Sequence, residues 1–183
     1  MSLASPSELY YCVGRQGFDW SGFIINIIVA LITGIITGYL VSEYFSRKDA
    51  IKEYPEKCIR MCGVAMTFSI LANDALRENT SLSYGHLTEK IYESNYLITI
   101  PKSKYIKDEF TDQIVEKMRS KIVELSSAAT ALKTRLKVKT SKDSFYLQNK
   151  EYIENDITKN LEILENSSKQ LFDLAVELRE HIK

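Results

Sequence analysis

Residues 22–41 read GFIINIIVALITGIITGYLV, twenty positions without an Asp, Glu, Lys or Arg. As helix this stretch is ~30 Å long, which matches the hydrocarbon thickness of a bilayer. An isolated segment satisfies its backbone N–H and C=O groups in lipid only as helix. A cleaved signal peptide fits poorly. The run is too long, the segment before it holds a single cation, Arg15, and no small-residue cleavage site follows. Trp20 precedes the run, and Tyr39 and Tyr44 stand at its far end, where amphipathic rings suit the two interfaces. The expectation is a transmembrane helix over residues 21–44.

Flanking charge sets the orientation. Residues 1–20 contain Arg15 alone, whereas residues 43–62 contain Arg47, Lys48, Lys52, Lys57 and Arg60. The positive-inside rule then places a short tail, residues 1–20, outside the cell and the bulk of the chain in the cytoplasm, with the protein single-pass in the inner (plasma) membrane. Cys12 would face the oxidising side, and Cys58 and Cys62 the reducing one.

The expected span has two kinds of face. Ala30, Gly34, Gly38 and Ser42 recur every four residues, a ladder of small side chains that lets helix backbones approach closely. Asn26, Thr33 and Thr37 fall within about 40° of one another beside that ladder. In lipid their polar groups want hydrogen-bond partners. Self-association into a homo-oligomer through this face is expected, and lining of a polar pore by Asn26, Thr33 and Thr37 is the sharper form of the idea. Against both stands the plain reading that small and hydroxylated residues are common in any span.

Beyond the span the chain reads as helix. Residues 45–54 extend it as a basic juxtamembrane segment, and Pro55 is expected to open a second helix, since proline suits a first turn. Residues 62–73 are uncharged but too short to cross a bilayer, so they read as a core helix, with a re-entrant or hairpin span as the alternative. Residues 78–85 read as loop, residues 87–95 as a short helix, and YLITIP as extended chain before Pro101. A long helix should begin near Asp108, whose carboxylate can cap it.

Two seams follow. Val115, Met118, Ile122, Leu125, Ala129, Leu132 and Leu136 alternate steps of three and four, as do Ile157, Leu161, Leu164, Ser168, Leu171, Ala175, Leu178 and Ile182. A connector over about residues 140–149 is short enough to favour antiparallel neighbours. Charge agrees: residues 102–142 hold eleven Lys/Arg against five Asp/Glu, and residues 151–183 hold four against eight. The fold expected is all-α, with an N-terminal transmembrane helix followed by a cytoplasmic helical bundle, residues 55–183, containing a long antiparallel helical hairpin.

Catalytic equipment is sparse. The chain lacks a Gly-rich phosphate loop, an H-E-x-x-H pair and a nucleophile elbow. Two histidines, His86 and His181, leave little for acid–base work, and three cysteines with two histidines do not make a zinc set. No enzyme activity, cofactor or metal is expected, and Cys58 and Cys62 read as small buried hydrophobes. One cluster invites a ligand. Lys133, Arg135, Lys137, Lys139 and Lys142 are five cations in ten residues without an acid among them. They suit the C-terminal end of a helix dipole, and they also form a candidate anion-binding patch for a nucleotide or anionic lipid. Tyr146 stands nearby as a stacking surface. Duplex nucleic acid is not expected.

In layout, the anchor IINIIVALITGIITGYLVSEYFSRK followed by a compact cytosolic domain resembles small membrane effectors of bacterial antiviral defence, such as the cyclic-oligonucleotide-gated membrane proteins of type III CRISPR systems. The resemblance implies a self-associating span that perturbs the membrane in response to a cytosolic cue. The alternative is a non-enzymatic membrane-anchored adaptor whose helical hairpin recruits a protein partner. The two differ in whether the span itself carries function.

Overall fold

A computed structural model describes residues 20–141 and 144–182. In chain order the elements are α1 (Trp20–Glu78), α2 (Ser81–Ser94), a 3-10 turn (Asn95–Leu97), α3 (Glu109–Ser141), α4 (Ser144–Gln148) and α5 (Lys150–His181). No strand occurs among the described residues, so the all-α expectation holds at that level. The chain divides into two compact units, Met1–Lys48 and Asp49–Lys183. The expected tail, with Cys12 and Arg15, lies outside the described residues apart from Trp20, and so does Lys142.

The first unit holds the N-terminal part of α1, a helix long and apolar enough to cross a membrane. None of its most apolar eighteen-residue window is buried within the chain. A soluble core helix would hide such a stripe, because each buried aliphatic side chain is worth about 1.5–3 kcal/mol. Here the apolar surface is left for something else.

Two expectations fail locally. Pro55 does not open a second helix, because α1 continues through it to Glu78. Proline removes one backbone donor and costs about 3 kcal/mol in a helix interior. Both neighbouring turns are tied down on the same side: Tyr54 donates to Asp108 Oδ2 at 2.9 Å, and Cys58 is fully buried. The loop expected over residues 78–85 is shorter, since α2 begins at Ser81. Thr80 and Ser83 close a capping box, Ser83 N–H donating to Thr80 Oγ1 and Thr80 N–H to Ser83 Oγ. Asn79, at φ 46°, makes the sharp turn between α1 and α2.

The second unit has one core. From α1 it takes Cys58, Met61, Cys62, Ala65, Phe68 and Ala72, which recur every three or four residues and so share a face. The uncharged stretch 62–73 thus contributes to this core. Tyr84, Leu87 and Ile91 enter from α2. On α3 the seam Val115, Met118, Ile122, Leu125, Ala129 and Leu132 is buried and Leu136 half-buried. On α5, Ile157, Leu164, Ser168, Leu171, Ala175 and Leu178 are buried, while Leu161 and Ile182 are half-buried.

Polar pairs between α5 and α3, with the residue just before it, give the register. Asp108 meets His181, Glu124 meets Ser167, Arg135 meets Asp156 and Lys139 meets Glu154. Numbers rise along α3 as they fall along α5, so the two helices run in opposite directions. One polar clamp sits deep between α1 and α5. Ser69 Oγ donates to the Ser168 carbonyl at 2.7 Å, and Ser168 Oγ donates to the Ser69 carbonyl at 3.1 Å. Each hydroxyl finds an acceptor, so neither leaves an unsatisfied buried polar group.

Candidate functional site

Two places on the chain carry the residues singled out above, one in each unit. In the first unit, Asn26, Ala30, Thr33, Gly34, Thr37, Gly38 and Ser42 are all exposed. A methyl group added at Gly34 or Gly38 would meet nothing within 4 Å. The small-residue ladder therefore serves no packing purpose inside this part of the chain. Helical periodicity does set the polar residues beside it together, Asn26, Thr33 and Thr37 lying on one side of α1.

In the second unit the basic cluster of α3 is divided by helical geometry. Arg135 and Lys139, four apart, face α5: Arg135 Nε donates to Asp156 Oδ2 at 2.7 Å, and Lys139 lies 3.7 Å from Glu154. Arg135 also lies over the Tyr152 ring at 5.5 Å. Its guanidinium is held above its ordinary pKa, first by the hydrogen bond to Asp156. These two cations are engaged structurally. Tyr146, the proposed stacking surface, is buried and donates to Glu154 at 3.1 Å. It does not offer a ring face to a ligand.

Lys133 and Lys137, the other pair four apart, face α2 instead. They line an open groove of about 840 Å³ together with Ser81, Gly85, His86, Glu89 and Tyr92. The Lys133 stem passes close to Gly85, where a β-carbon would stand 3.4 Å from Lys133 Cε. Ser81 Oγ donates to the Lys133 carbonyl at 3.0 Å, tying α2 to this turn of α3. Neither Lys133 nor Lys137 has an acidic partner within ion-pair distance among the described residues. His86 is exposed at the same groove. The five-residue patch is thus two pairs with different surroundings, plus Lys142, which lies outside the described residues.

A third constellation joins the middle of α1 to the start of α3 and the end of α5. Asp108 accepts from Thr111 N–H at 3.1 Å, Thr111 Oγ1 at 2.7 Å and the Tyr54 hydroxyl at 2.9 Å, and His181 Nε2 lies 3.2 Å away. The His181 ring packs on Phe110 at 4.3 Å. Burial alone would raise the Asp108 carboxyl, but the bonds from Thr111, Tyr54 and His181 outweigh it and hold it at about 2. Tyr54 is driven upward, chiefly by burial. The capping role of Asp108 was legible from its place before an apolar seam. Its bonds to Tyr54 and His181 were not, because they join residues 54 and 73 positions distant.

The two described thiols are shielded from chemistry by burial. Cys58 and Cys62 are free and buried, and burial pushes both upward, Cys58 to about 11. They stay protonated near neutrality, when only the thiolate is a nucleophile or metal ligand. Among the described residues no group of three or more His, Cys, Asp or Glu side chains is placed to hold a metal ion. Comparison with protein-family models, curated proteins and solved structures finds no match for this chain.

Proposed function

We propose that the chain is a single-pass membrane effector. Its N-terminal helix spans the inner (plasma) membrane with the N-terminus outside, and copies associate through the face of Ala30, Gly34, Gly38 and Ser42. Its second unit is a cytoplasmic helical bundle built on an antiparallel hairpin of α3 and α5, and it receives a cytosolic cue. The associated spans then permeabilise the membrane along the polar side of Asn26, Thr33 and Thr37. The layout resembles that of effectors of bacterial antiviral defence, the setting in which such an activity would serve.

The observation that supports this most is that the most apolar window of α1 is not buried at all and that Gly34 and Gly38 within the uncharged stretch 22–41 have open space around them. A tether needs only apolarity. A small-xxx-small ladder bordered by an Asn and two Thr gives backbones a route to close approach and gives polar groups partners across the contact, worth about 0.6–2 kcal/mol each.

A span exchange tests the proposal. Residues 22–41 are replaced by a monomeric poly-leucine span, and both versions are compared for assembly by cross-linking and for membrane potential in expressing cells. Gly34→Ile in the native span should weaken assembly in parallel. If wild type assembles and depolarises while the exchanged chain does neither, the span carries function. If the two behave alike, the span is a tether, and the adaptor reading, with the helical unit recruiting a protein, takes its place.

A further inference from the structure

We infer that the groove between α2 and α3 is a binding site for a phosphate-bearing ligand, held by Lys133 and Lys137. The starting point is a difference between neighbours on one helix. Arg135 and Lys139 each have an acidic partner on α5, whereas Lys133 and Lys137, interleaved with them, have none among the described residues. Two like charges four apart on a helix repel by a few tenths of a kcal/mol. An anion set between their ammonium groups removes that repulsion and gains two charge-assisted hydrogen bonds.

The surroundings favour the same sign of ligand. The groove runs along α2 from Ser81 to Tyr92, and the first turn of this helix, at one end of the groove, carries no acidic residue to offset the positive end of its dipole. Gly85 lets the Lys133 stem lie close against α2, so its ammonium stands over this helix. His86 adds a ring nitrogen that can donate, and Tyr92, 83% exposed, presents an open aromatic face at the rim. At about 840 Å³ the groove accepts a ligand larger than a single inorganic ion. One carboxylate, Glu89, also lines it and opposes an anion. That opposition provides a test of sign.

A soluble phosphorylated molecule and a phospholipid headgroup share this chemistry. Binding stands on the groove alone. Only its identification as the cue that triggers the effector rests on the function proposed above.

The full chain in a neutral detergent is titrated by equilibrium dialysis with two probes, radiolabelled pyrophosphate and a short-chain phosphatidylinositol monophosphate. Lys133→Met/Lys137→Met should weaken binding at least tenfold, and Glu89→Gln should tighten it about threefold. Lys139→Met/Lys150→Met removes the same charge away from the groove and should leave binding within twofold. Pyrophosphate binding with this pattern supports a soluble ligand, and the same pattern with the lipid probe alone supports a headgroup. No binding of either probe, or equal losses in the two lysine pairs, overturns the site. If the pattern holds but wild-type cells keep their membrane potential when the groove is filled, the effector function fails while the site stands.

Discussion

Replacing Asp108 by Asn removes a charge while keeping an oxygen that can cap α3, and its cost can be worked from the surroundings. The carboxyl sits at about 2 instead of its ordinary 3.8. At about 1.4 kcal/mol per pH unit, that depression corresponds to about 2 kcal/mol of stability. The side chain is only 20% exposed, so solvent screens the effect in part. The sign follows from the direction of the depression. The contribution is present above about pH 4 and is lost as pH falls through about 2, below which folded and unfolded forms are both protonated. Asp108→Asn should therefore lower the unfolding free energy by about 2 kcal/mol at pH 7 and by much less at pH 2. Asp108→Ala should cost about 3 kcal/mol at pH 7, because the cap is lost as well and the Thr111 hydroxyl, fully buried, loses its acceptor. Urea unfolding of the full chain in a fixed concentration of neutral detergent, followed by circular dichroism at both pH values, measures this. A companion Tyr54→Phe variant tests the long-range bond: the double variant should recover about 1 kcal/mol relative to the sum of the singles. Equal stability of wild type and Asp108→Asn at pH 7, or additivity within ~0.3 kcal/mol, would refute this account of Asp108 and its bond to Tyr54.

Three further outcomes follow from the packing. Leu171→Ala, in the fully buried seam of α5, should cost about 2–5 kcal/mol, whereas Val123→Ala, 68% exposed on α3, should cost under about 0.5; denaturant midpoints separate them. Ser69→Ala removes the donor to the Ser168 carbonyl while the return bond from Ser168 persists, so a loss of about 1 kcal/mol is expected in the same assay. With Cys12 replaced by Ser, alkylation of Cys58 and Cys62 by a thiol reagent at pH 8 should proceed only as the second unit unfolds; labelling absent in subdenaturing urea but complete in denaturing urea is the expected result, and rapid labelling of either cysteine in the native chain would show their burial to be wrong.

Periodicity made α3 and α5 legible, because their apolar residues repeat at helical spacing for many turns and each seam position reaches the core on its own. The charge-free stretch 22–41 was legible for a simpler reason, since twenty uncharged and mostly apolar positions leave few foldable alternatives in water. The break at Pro55 was misread because the cost of an interior proline is local, while the anchors that hold the helix through it, Tyr54 to Asp108 and the buried Cys58, come from residues distant in the chain. The start of α2 was misread because Thr80 and Ser83 look like loop residues until their reciprocal bonds make them a cap.

The basic cluster shows the same division most sharply. Five cations in ten residues were visible in the sequence, as was their phase around a helix: 133 and 137 on one side, 135 and 139 on another. Which side meets carboxylates is a property of what packs there. Only the tertiary structure sets Asp156 and Glu154 against Arg135 and Lys139, and opens a groove beside Lys133 and Lys137. Helicity, the long apolar stretch and the two seams were readable in the residues alone, since those depend on spacing along one chain. Pairing, register and the sites they leave open were decided by packing, since the energy of a charge or a hydroxyl depends on the partner that folding brings within hydrogen-bond distance.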